Sequence, residues 1–188
     1  MSSEASVIAR IQRILQDSST AVYGTAEIQS QIAEDLVTVA QYSPNVGLAT
    51  VTTSAGTKWV DITDVSNLLY GFNEESFQAV EFREDKDPPR FRNFEVKEKR
   101  LYLDIEFDPD ASEDVRLYVR QPHTLSGATN SMSAVQEDLL ANLVAAKLAI
   151  SKGRSDLVAW GALKWTETRN RLERIAEDRM VVRYPRQA

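Results

Sequence analysis

The sequence predicts an α+β fold, a helical bundle formed by the N- and C-terminal helices with an inserted antiparallel β lobe, either a small sandwich or an open barrel. Two observations carry this prediction. Apolar residues recur at three- and four-residue spacing over residues 1–45 and 126–188, whereas residues 46–125 switch to alternation rich in β-branched and aromatic side chains. Neither terminal pair of helices can hide its apolar stripe alone, so the two pairs must pack together. The chain has 188 residues, enough to bury a core without disulfides or metals. No internal repeat or low-complexity linker interrupts it.

Residues 1–45 hold two helices. Val7, Ile8, Ile11, Ile14 and Leu15 form one stripe, and Asp17, Ser18 and Ser19 end it. A second helix begins near Thr25, whose hydroxyl is expected to cap free amides, with Glu27 in the favourable first turn. Its stripe is Ile28, Ile32, Leu36 and Val39, and Pro44 follows its end.

Residues 46–125 form the inserted antiparallel domain. Strands are expected over 48–53 and 57–62, flanking Ser54, Ala55 and Gly56 as a hairpin turn. A further strand covers 79–83, and 91–96 and 100–107 pair across Lys97, Glu98 and Lys99. Asp108, Pro109 and Asp110 break the chain before a last strand at 115–119, and 65–70 reads as a short helical turn.

Residues 126–188 return to helix, as a hairpin followed by an extended tail. Ser133 and Gln136 have the form of a capping box. Val135, Leu139, Leu143, Ala146 and Ile150 make one face, with Ala141, Ala145 and Ala149 interspersed. So many small residues permit close approach of another helix, and so broad an apolar surface implies burial on more than one side. Gly153 ends that helix. The last one, about 156–179, carries Leu157, Trp160, Lys164, Thr168, Leu172 and Ile175, with Trp165 beside the seam and Glu167–Arg171 and Arg174–Asp178 as supporting pairs. After it, Met180, Val181, Val182, Arg183, Tyr184 and Arg186 are the candidate interface residues. Pro185 biases Tyr184 to an extended conformation, and a β-prone run of this kind can add a strand to a neighbour's sheet.

Composition excludes several classes. With no cysteine there is no disulfide, thiolate metal site or cysteine nucleophile. No apolar run approaches the roughly 20 residues that span a bilayer, and the first residues lack the form of a signal peptide, so a cytosolic site of synthesis and no membrane partner are expected. The net charge of −6 argues against general binding to nucleic-acid phosphates. Residues 164–188 hold seven basic and four acidic residues, a local +3, leaving −9 on residues 1–163. An acidic body with a mildly basic end suits head-to-tail docking, although a solvated helix face has the same pattern.

No catalytic, cofactor-binding or metal-binding residues are assigned. His123 is the single histidine, reads as a turn residue leaving the β lobe, and has no partners for a triad. Asp104, Glu106, Asp108, Asp110, Glu113 and Asp114 resemble a calcium loop in density, but Pro109 stands where the sharp turn needs glycine. Seven glycines never form a phosphate-cradling loop. Trp59, Trp160 and Trp165 suit cores or interfaces. The chain is therefore expected not to be an enzyme.

The whole-chain arrangement resembles the head–tail connector, or adaptor, proteins of tailed phages and related viruses. The residues that carry the resemblance are spread through the chain. They are 11–17 leading through Tyr23, Gly24 and Thr25 to a second helix, then Asp87, Pro88, Pro89, Arg90 and Phe91. Residues 115–119 with Pro122, His123, Thr124 and Leu125 follow, and the Ala-rich helix 135–150 precedes Trp160, Trp165 and Leu172. The resemblance implies a structural virion protein in a homo-oligomeric ring of twelve copies below the portal protein. Such a ring extends the DNA channel and joins the next neck or tail protein, with DNA only as passing cargo. It implies a place at the head–tail interface of the virion after assembly in the host cytoplasm, and no cofactor. A stopper or tail-completion protein is another neck component with these features. A β-domain binding module for carbohydrate or peptide is the reading from a different class, and Tyr70, Phe72 and Phe77 clustered over one groove would favour it.

Overall fold

The computed structural model describes residues 2–17, 19–82, 90–91, 93–103 and 114–180. Its elements run α1 (Glu4–Ile14), α2 (Thr25–Tyr42), β1 (Asn45–Thr52), β2 (Trp59–Asp61), β3 (Phe77–Phe82), β4 (Arg90–Phe91) and β5 (Phe94–Lys97), then β6 (Arg100–Leu103), β7 (Asp114–Gln121), β8 (Leu125–Ser126), β9 (Thr129–Asn130), α3 (Ala134–Ser151) and α4 (Ser155–Met180). The fold is α+β, and helices from both ends of the chain share one core. The chain divides into a helical unit, Met1–Pro44 with His123–Ala188, and an inserted β unit, Asn45–Pro122. Leu125, placed by sequence at the end of the β lobe, packs in the helical core.

In the helical unit, Val7, Ile8 and Ile11 of α1, Ile28, Ile32 and Val39 of α2, and Leu172 of α4 pack around α3. Helix α3 is buried on several sides, through Leu139, Leu140, Leu143, Val144 and Leu148 among others, as its apolar breadth predicts. Val135 and Ile150, expected on its buried face, are instead exposed because they lie near the two helix ends. The Ser133 and Gln136 capping box forms as expected. Gly153 follows the helix with φ +60°, a conformation that favours glycine. Small residues bring α3 and α4 close: a β-carbon at Gly161 would lie 3.0 Å from the Ala146 carbonyl oxygen.

Two local expectations are corrected in this unit. The N-cap of α2 is Gly24, with no side-chain cap, so Thr25 opens the helix as its first residue and does not cap it. Glu167 pairs with Lys164 and not with Arg171, whose guanidinium stands 4.0 Å from Asp138. Arg169 pairs with Glu173 at 2.8 Å, and the expected Arg174–Asp178 pair falls on Asp178, which lies outside the described side chains. The Lys164–Glu167 and Arg169–Glu173 pairs are i,i+3 and i,i+4 on the exposed face of α4 and support it modestly, whereas Arg171 faces Asp138 of α3.

The β unit contains a four-stranded sheet of order β1-β7-β3-β4 and a three-stranded sheet of order β2-β6-β5, all antiparallel. Their inner faces supply one apolar cluster, including Val60, Ile62, Phe77, Val80, Leu101, Leu117 and Val119, which makes the lobe a small sandwich. Phe77 and Phe94 meet edge to face at 6.2 Å across it. Residues 54–56 do turn the chain, with Gly56 at φ +70°, but they do not close a hairpin. β1 pairs with β7 and β2 with β6, so the turn carries the chain from one sheet to the other. The expected β5–β6 hairpin forms, with Glu98 and Lys99 at φ +49° and +62°. Both central residues at positive φ mark a type I′ turn, whose twist matches the strands. The helical turn expected at 65–70 is absent, and a short 3-10 turn occurs at Glu74–Ser76 instead. Residues 104–107 of the expected 100–107 strand lie outside the described residues.

Candidate functional site

The interface residues read from sequence fall at and beyond the end of α4. Met180 is the last helical residue of α4, one position later than expected. Val181, Val182, Arg183, Tyr184 and Arg186 lie outside the described residues, as do Asp104, Glu106, Asp108, Asp110 and Glu113 of the acidic run. Asp114 opens β7 on an exposed position.

His123 is not a turn residue. It is 5% exposed and is the first residue of the helical unit after the β insertion. Its Nε2 lies 2.6 Å from the Ser43 carbonyl oxygen, which can only accept, so Nε2 carries the proton. In the neutral ring Nδ1 then accepts from the Ser131 hydroxyl at 3.2 Å. Ser131 also accepts the Thr124 amide at 2.9 Å, and the Gln136 side-chain amide donates to the Ser43 hydroxyl at 2.7 Å. Ser43 stands where the chain leaves the helical unit and His123 where it returns, so these bonds hold the two crossings together. A serine beside a histidine is the pairing hydrolases use, but here the second ring nitrogen is taken by a backbone carbonyl and the ring is shielded from solvent. The arrangement suits a structural clasp.

Sequence reasoning missed a second buried cluster. Asp35 of α2 is fully buried, and its carboxylate pairs with the Lys147 ammonium of α3 and accepts the Gln31 side-chain amide at 3.2 Å. The Lys147 Nζ also stands 5.4 Å from the centre of the Trp165 ring of α4. Burial raises the Asp35 carboxyl above its ordinary value of 3.8, and Lys147 opposes that rise. The signal was present in the sequence: Asp35 sits on the stripe Ile28, Ile32, Asp35, Val39, where an acid has no place without a partner. Beside it, Lys147, Ile150, Ser151 and Trp165 line a depression of about 250 Å³. That is smaller than the roughly 300–1,000 Å³ of ligand cavities, and its one charge is already paired.

Asp17 organises the connection between α1 and α2. Its carboxylate accepts the amides of Tyr23 at 2.7 Å, Val22 at 3.0 Å and Ala21 at 3.1 Å. These bonds, Tyr23 foremost, hold its carboxyl below the ordinary 3.8.

On the β unit, the outer face of the four-stranded sheet carries Val46 and Leu48 of β1 beside Tyr118 of β7. The Tyr118 hydroxyl donates to the buried Glu81 of β3 at 2.7 Å. Phe72 is exposed, with the Lys99 ammonium 5.2 Å from its ring centre, whereas Phe77 is buried in the core. Tyr70, Phe72 and Phe77 therefore do not form one exposed groove. The Arg100 guanidinium covers Trp59 at 4.2 Å. Among the described residues no group of three acids or histidines is placed to hold a metal ion, and no helix is long and apolar enough to cross a membrane. In comparisons with known proteins, no family model matches the chain and no curated protein matches it.

Proposed function

We propose that this chain is a structural connector that assembles into a ring of identical copies, twelve in number, at the head–tail junction of a tailed virus. The observation that carries the reading is the chain path: helices from both ends close one bundle around α3, and the β sandwich is an insertion between them. That is the arrangement that the resemblance to connector proteins implies. The buried polar groups of the bundle support it too. His123 and Gln136 both bond Ser43, and Asp35 and Lys147 pair between helices, which suits side chains that hold a scaffold. In the ring, one surface meets the portal protein and the other the next neck or tail protein, while DNA passes through. An acidic lining repels the passing phosphates rather than gripping them.

The test is the mass of the purified chain under native conditions as concentration rises. The expected result is a single species at twelve times 21.1 kDa, seen as annular particles by electron microscopy and captured by a portal protein. A strictly monomeric chain that neither assembles nor binds portal would refute the reading.

A further inference from the structure

We propose that the free edge of β1 receives residues 181–184 of a second copy of this chain as an added strand, linking copies head to tail. The inference deepens the ring reading and rests on it. In the order β1-β7-β3-β4, β1 is bonded to β7 through eight consecutive register pairs without a bulge. Among the described residues nothing pairs with its other edge, so alternate amides and carbonyls there point away from the sheet. Proteins blunt such edges with brevity, lysine, proline or a bulge. β1 has none of these: it is eight residues long, uncharged and regular. Its outer face also leaves Val46 and Leu48 at 43% and 56% exposure, and these are the exposed large hydrophobics that lie on strands among the described residues.

Two properties of the chain select the occupant. Residues 181–184 are Val181, Val182, Arg183 and Tyr184, a run whose alternation sets Val182 and Tyr184 on one face, the complement to Val46 and Leu48. Pro185 then ends the ladder, because it has no amide to donate. Charge agrees. The β unit, Asn45–Pro122, has sixteen acidic and ten basic residues, so the whole −6 of the chain resides there and the helical unit is neutral. The arriving segment brings Arg183 and Arg186 to that acidic unit. One donor segment and one acceptor edge per copy make a heterologous contact, the kind that closes into rings, whereas β1 pairing with β1 stops at a dimer.

The absence of cysteine allows thiols to be placed at will. Full-length chains carrying Val182→Cys with Val46→Cys, Leu48→Cys or Thr50→Cys are oxidised after assembly. At the matching register a ladder of dimers, trimers and larger covalent species is expected, and from single variants none. The charged pair Val46→Lys with Leu48→Lys should keep its circular dichroism while raising the concentration needed for assembly about tenfold or more. Rings that form without cross-links at any register overturn this contact and leave the connector reading standing. Covalent dimers from Leu48→Cys alone, or an internal bridge in a monomer, overturn it in favour of β1–β1 pairing or a tail folded on its own chain. Absence of assembly at every concentration removes the contact and the ring together.

Discussion

The helical unit and the β unit differ in net charge and in how much bonding capacity they leave at the surface. In the helical unit a carboxylate without solvent exposure, Asp35, meets a lysine from the next helix, and a buried histidine joins the two points where the chain crosses out and back. Those groups are consumed by internal partners, and the unit is charge-neutral. In the β unit the buried Glu81 is likewise bonded, to Tyr118, but among the described residues nothing pairs with one edge of β1, Val46 and Leu48 are exposed, and the whole net charge resides there. Internal pairing fixes the register of helices against one another. Unused peptide groups and unbalanced charge offer attachment. On the connector reading proposed above, the first unit would hold the shape of the chain and the second would present the surface for the next copy.

The sharpest way to break that contrast is at Asp35. Lys147→Met strands a buried carboxylate and should lower stability by about 3–5 kcal/mol in urea unfolding, whereas Asp35→Asn, which leaves a partly exposed lysine free to reach water, should cost clearly less. The double variant should recover most of the loss. Equal costs for the two single variants would show that burial of Asp35 does not govern the pair.

On the β unit the two faces of one sheet should separate. Leu117→Ala empties a fully buried position and should cost about 2–5 kcal/mol. Leu48→Lys, on the outer face, should change monomer stability by no more than about 0.5 kcal/mol. A large loss at Leu48 would mean that its side chain supports the fold rather than awaiting a partner.

Acid titration sharpens the picture inside the helical unit. The lowered carboxyl of Asp17 stabilises the fold above its unfolded value of 3.8, and that contribution disappears as pH falls through its folded value. The raised carboxyl of Asp35 acts in reverse: stability is greatest below 3.8 and declines as pH rises through its folded value. Asp17→Asn should therefore flatten the loss of stability below pH 3.8, and Asp35→Asn should remove the decline above it, both read from urea midpoints across pH.

One modest expected effect is a gain. Glu98 and Lys99 hold positive φ without being glycine or asparagine. Replacing them with Asn and Gly should raise the thermal midpoint, corresponding to roughly 0.4–1 kcal/mol, by relieving that strain.

Sequence alone determined the elements whose signal is local. The stripe of Ile28, Ile32 and Val39, the capping box at Ser133 and Gln136, the stop at Gly153, and the alternation on either side of Glu98 and Lys99 all appear in the structure where periodicity and capping chemistry put them. Those features depend on neighbours within a few residues, so the order of residues is enough to specify them. Tertiary structure decided what depends on distant partners. Residues 48–53 and 57–62 read as a hairpin because they adjoin, but each strand gains a longer or better-placed partner elsewhere, β7 for one and β6 for the other. His123 reads as a turn residue until Ser43, eighty positions earlier, supplies the carbonyl that orders its ring. Asp35 was visible as an acid on an apolar stripe, yet nothing local names Lys147, 112 positions away, as the cation that makes its burial tolerable. The edge of β1 that nothing pairs among the described residues is, likewise, defined only once the other strands have chosen their partners.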